Sequence, residues 1–76
     1  MARLPQVSGK DVHKALVRAG YYPVGQKGSH MKVRRDNPRR TIIVPDHKIV
    51  KKGTLRGIIS DAGLAVEDFI KLLKKH

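Results

Sequence analysis

Apolar residues recur at helical spacing at Val12, Ala15, Leu16 and Ala19, and this stripe predicts an amphipathic helix of about three turns. Ser8 and Asp11 form a capping-box-like start, and Gly20 supplies the stop. The period then changes from helical to two. Met31 and Val33 alternate with His30, Lys32 and Arg34, so residues 30–35 read as a strand with those three polar side chains on one face. The β-rich stretch Tyr21 to Gln26 precedes it across Lys27-Gly28-Ser29. Asp36-Asn37-Pro38 marks a turn, and Arg40 to Val44 is a third strand that Pro45 closes. Lys48 to Lys52 reads as a basic loop. Beyond it Gly53-Thr54 opens a second helix, with Leu55, Ile58, Ile59 and Ala62 on one side and Gly63 just past its end. A last helix is expected from about Val66 to Lys75. Glu67 and Asp68 lie in its first turn and Lys71, Lys74 and Lys75 near its end, the placement the helix dipole favours.

This order predicts an α+β domain of two layers: helix, three-stranded antiparallel sheet, helix, with a short additional C-terminal helix. The helices cover one sheet face and leave the other to His30, Lys32 and Arg34. No repeat or linker divides residues 1–76, so a single domain is expected. A chain of this size buries roughly 60% of its unfolded surface and gains from a partner's added contacts.

Charge changes the picture. Seventeen Lys and Arg face six Asp and Glu, a net charge of +11, and the basic residues concentrate between Lys27 and Arg56. That is the footprint of a polyanion-binding surface. Anionic membrane is the competing partner, but it asks for a free apolar helix face, and these faces are needed for the core. Nucleic acid is therefore favoured and no membrane partner is expected. The chain has no cysteine, hence no disulfide framework and no thiolate nucleophile. No apolar run reaches about 18 residues, and a cytoplasmic protein is expected.

The six acids do not make a convincing metal site. Asp11 serves a cap, Asp36 and Asp46 lie in turns, Asp61 ends a helix, and the adjacent Glu67 and Asp68 point apart. No metal and no other cofactor is expected. Of the histidines, His76 is terminal, and His13 falls between the apolar and basic faces of the first helix. His47 follows the third strand, where it either approaches His30 across the sheet or caps the next loop.

His30 differs. Gly28 permits close backbone approach, Ser29 adds a hydroxyl, and Lys27, Lys32 and Arg34 surround the ring with cations. RNA carries its own nucleophile in the 2′-hydroxyl, so a ribonuclease needs only a base, an acid and donors for the charged transition state. The residue chemistry alone leaves two readings open. His30 is a catalytic base, or the chain is an RNA-binding module without cleavage, positioned by Lys10, Lys14 and Arg18 along the first helix and by Lys51 and Lys52. Gly25-Gln26-Lys27-Gly28 matches the GxxG loop of KH domains, but strand-like sequence flanks it where that fold has helices.

Taken in order, Gly28-Ser29-His30, Arg40 through Val44-Pro45 with His47, Gly53-Thr54-Leu55, Ile58-Ile59 and Ala62-Gly63-Leu64 resemble the HicA toxins of bacterial and archaeal toxin–antitoxin pairs. The resemblance spans the chain from the Ser8 helix to Phe69. It implies a double-stranded-RNA-binding-domain-like fold and metal-independent cleavage of mRNA by a catalytic histidine that maps onto His30. It also implies a HicB-type antitoxin that covers His30 in a toxin–antitoxin hetero-oligomer. Gly28 and Ser29 match the positions beside the catalytic ring, and His47 matches a second recurrent histidine. Lys32 and Arg34 join the expected RNA-binding set, with Lys27, Lys10 and Lys14, from strand and helix geometry. Some members carry a more aromatic second strand than this chain, whose aromatics are Tyr21, Tyr22 and Phe69, so base stacking and sequence preference are expected to be weak.

Overall fold

The computed structural model of the protein describes residues 3–74. Helix α1, Gly9–Arg18, begins where a Ser8 side chain accepts the Asp11 amide at 3.1 Å and Asp11 accepts the Ser8 amide at 3.2 Å. Both bonds of a capping box are thus made, satisfying two amides that a helix start otherwise leaves open. Three strands follow, β1 (Tyr22–Lys27), β2 (His30–Asp36) and β3 (Arg39–Pro45), then α2 (Lys52–Asp61) and α3 (Val66–Lys74). α1 and α2 end alike. Tyr21 and Gly20 donate back to Leu16 and Val17, and Leu64 and Gly63 to Ile59 and Ser60, the paired bonds of a Schellman motif.

The strands form an antiparallel meander in the order β1-β2-β3. β2 is central, so its alternation decides the layers. Met31 and Val33 are buried with Ile42 and Val44 of β3 under the helices, while His30, Lys32 and Arg34 face outward. Val12 and Leu16 of α1, Leu55 and Ile59 of α2, and Phe69 of α3 close the core from the other side. Phe69 is fully buried, and α3 packs chiefly on α1. The α+β, double-stranded-RNA-binding-domain-like layout is thus observed.

Element limits shift slightly from the expected ones. Tyr21 stands outside β1 because its ring is pulled into the core, where its hydroxyl donates to the Ala62 carbonyl at 3.1 Å. Lys52, expected in the basic loop, is the first residue of α2. The expected C-terminal Lys75 and His76 lie outside the described residues. No helix among the described residues is long and apolar enough to cross a membrane.

Candidate functional site

Lys27 pairs with His30, so Gly28 and Ser29 alone make the β1–β2 turn. Gly28 has φ +58 and Ser29 is not in the positive region, the pattern of a type II′ hairpin, which wants glycine at its first position. A Cβ at Gly28 would meet nothing within 4 Å, so backbone conformation rather than crowding selects the residue. The turn is tied down from β3: the Asp46 amide donates to the Ser29 carbonyl at 2.6 Å. Gln26 Nε2 donates to the Gly28 carbonyl at 3.3 Å and reaches Asp46 Oδ2 at 3.5 Å. His30 therefore begins a central strand from a fixed turn. Its ring is exposed, with Lys27 across one ladder and Pro45 across the other.

The outer face continues from there. Lys32 is flanked by Gly25 on β1 and Ile43 on β3. Opposed residues hold their Cβ atoms ~4.5–5.5 Å apart, which sets Lys27 beside His30, and Lys32 lies two residues along the same strand face. A pocket of about 540 Å³ opens among them, bounded also by Val24, Gly25, Gln26 and Ile43.

Arg34 stands apart from this group. Four residues along β2 place it about 13 Å from His30 at antiparallel rise. Its Nε donates to the Tyr22 hydroxyl at 3.0 Å and lies 3.5 Å from Asp36 Oδ1, while Tyr22 donates to Asp36 Oδ2 at 2.8 Å. The Tyr22 hydroxyl, with Asp36 behind it, pushes the guanidinium above its ordinary pKa.

The remaining predicted residues divide between two regions. His47 follows β3 by two residues, exposed, and its carbonyl accepts the Gly9 amide at 2.8 Å. That places it, with Lys10 next to Gly9, at the same end of the molecule as His30. Lys14 instead lines a groove between α1 and α3 with Pro5, Asp11 and Ile70, in the layer opposite His30. Arg18, expected to continue that stripe, donates to the Leu72 carbonyl at 2.6 Å and caps α3.

Other arginines also have structural duties. Arg40 donates to the Asp61 carbonyl at the end of α2, where a cation meets the helix dipole. Arg35 stacks over Tyr21, 5.0 Å from the ring centre. Arg18, Arg34, Arg35 and Arg40 thus hold the scaffold, while Lys27 and Lys32 project from the outer face. Sequence reasoning did not single out Gln26 as an anchor, nor Gly25, Val24 and Ile43 around the pocket. Ile43 carried a signal: it sits at an outward position of β3, out of phase with Ile42 and Val44.

The family model described as HicA toxin of bacterial toxin-antitoxin matches residues 9–64, from the first residue of α1 to the Schellman motif after α2. No curated protein matches the chain significantly.

Proposed function

Because the chain belongs to the HicA toxin family, toxins of bacterial toxin–antitoxin pairs, we propose that it is a metal-independent endoribonuclease that cuts mRNA with His30 as its catalytic base. The observation that carries this reading is the exposed His30 ring on a fixed turn, with Lys27 across the ladder and Lys32 on the same strand face.

In the proposed reaction His30 removes the proton of a ribose 2′-hydroxyl, and the freed oxygen attacks the adjacent phosphorus. The bond to the 5′-oxygen breaks, leaving a cyclic 2′,3′-phosphate on one fragment and a 5′-hydroxyl on the other. Lys27 and Lys32 balance the charge that grows on the phosphoryl oxygens, and an ammonium or water returns a proton to the leaving oxygen. Arg34, too far along β2 to share that phosphate, binds the strand further on through its terminal nitrogens. Gly28 and Ser29 present their turn to the backbone of the message, and Lys10 and His47 extend the contact around the end of the sheet. Lys14 adds long-range attraction from the other layer. An mRNA substrate puts this work in the cytoplasm.

The antitoxin partner that the family implies is proposed to be HicB-type, acidic and seated over His30. A partner of opposite charge associates fast at low salt.

Induced wild-type protein should arrest growth and shorten mRNA, and His30→Ala should do neither while keeping its fold, since the ring is exposed. A single deoxynucleotide 5′ to a cut phosphate should protect that bond by removing the nucleophile. Undiminished cutting by His30→Ala, or loss of cutting in chelator, would overturn the assignment. RNA bound for hours by antitoxin-free protein without shortening would identify a binding module instead.

A further inference from the structure

The outer face contains a gap that the reaction above does not explain. Gly25 lies directly across from Lys32, and its backbone is outside the positive-φ region that would demand glycine. A Cβ there would meet nothing within 4 Å. The missing side chain is therefore space rather than conformation. Around it the chain exposes two apolar residues, Val24 at 40% and Ile43 at 44%. Val24 owes its position to a register shift between Pro23 and Gly25, since a bulge turns its extra residue out of the ladder. The pocket's remaining side is lined by Lys27, His30 and Lys32.

An apolar floor with cations along one side suits a ligand that has a flat apolar face and a negatively charged edge. A free phosphate has no use for Val24 and Ile43, and an apolar peptide has none for the lysines. A nucleobase joined to its phosphodiester meets both requirements. Bases within a duplex are stacked away from such a pocket. We propose that this pocket is a nucleobase subsite, holding one unstacked base of single-stranded RNA next to the phosphate that His30 attacks. The proposal rests on the ribonuclease reading and adds to it which residues choose the substrate: Gly25 by leaving room, Val24 and Ile43 by apolar contact.

The test compares wild type with Gly25→Leu, which extends a side chain into the gap from a Cβ that meets nothing within 4 Å, and Ile43→Ser, which strips the apolar wall at an exposed position. Binding is measured with a short all-deoxy single strand, which lacks the nucleophile, and cleavage with single-stranded RNA. Both variants should weaken binding and raise KM by about tenfold, the scale of small changes in an apolar pocket. They should also alter the pattern of cut sites, while kcat at saturation stays within a few-fold and circular dichroism is unchanged. His30→Ala should show the opposite emphasis, losing kcat by far more than it weakens binding. Unchanged KM and unchanged cut sites in both variants would overturn the subsite and leave the ribonuclease intact. Weakened single-strand binding by the variants of a protein that cuts nothing would keep the subsite and overturn the ribonuclease. Variants that lose an acidic antitoxin but bind and cut RNA normally would assign the pocket to the protein partner and overturn the proposal. Should Gly25→Leu fail to fold, Ile43→Ser decides alone.

Discussion

Gly9→Ala separates local preference from tertiary packing. Helix propensity alone favours alanine, by at most ~1 kcal/mol. The packing predicts the reverse, because a Cβ at Gly9 would lie 2.0 Å from the Pro45 carbonyl oxygen, 2.9 Å from its carbon and 3.0 Å from Asp46 Cα. All three are backbone atoms, so no side chain can swing aside. Relief requires the start of α1 and the end of β3 to part by more than about 1 Å, which stretches the 2.8 Å bond from the Gly9 amide to the His47 carbonyl. Overpacking costs about 1–3 kcal/mol, and a lost hydrogen bond adds about 1 kcal/mol. Less the propensity gain, the net destabilisation is ~1–3 kcal/mol. In a domain this small each kcal/mol moves Tm by roughly 4–8 °C, so the midpoint of thermal melts followed by circular dichroism should fall by ~4–24 °C. Lys10→Ala, one exposed position on, should change stability by less than about 0.5 kcal/mol. A Tm for Gly9→Ala equal to wild type or above it would refute the claim that α1 is locked against the strand end beside the site.

Phe69→Ala should cost ~3–5 kcal/mol by leaving a void under α3, against a total of about 4–11 kcal/mol for a chain of this length; urea titration should show most of the stability gone. Ser8→Ala removes one half of the capping box and should cost about 1 kcal/mol in the same titration. Lys32→Ala should lower the slope of log affinity against log salt for single-stranded RNA by ~0.7 and leave Tm unchanged. Arg40→Ala should do the opposite, lowering Tm through the uncapped end of α2 while the salt slope stays the same; a slope that falls for Arg40→Ala would show that it, too, contacts phosphate.

Much of the site's frame is legible in short stretches of sequence. The exposure of His30, Lys32 and Arg34 follows from a period of two, because neighbouring residues of one strand must point to opposite faces. The Gly28-Ser29 turn and the Ser8-Asp11 box depend on residues a few positions apart. The roles of the arginines are not legible in this way. Arg18 meets Leu72 and Arg40 meets Asp61, partners that no local pattern connects, so a charge count treats them as equivalent to Lys27 and Lys32. Tyr22 likewise looks like a base-stacking aromatic until strand pairing sets it opposite Arg34.

The sequence by itself determined the elements, their order, the buried faces of α1, β2 and α2, and the family to which the chain belongs, because periodicity and capping act over a few residues at a time. Only the tertiary structure decided which cations are free, where the gap at Gly25 opens, and why Gly9 admits no side chain. Those outcomes depend on strand register, on a one-residue bulge at Val24 and on the close approach of α1 to Pro45. Each brings together residues far apart along the chain, at distances where an ångström changes the result.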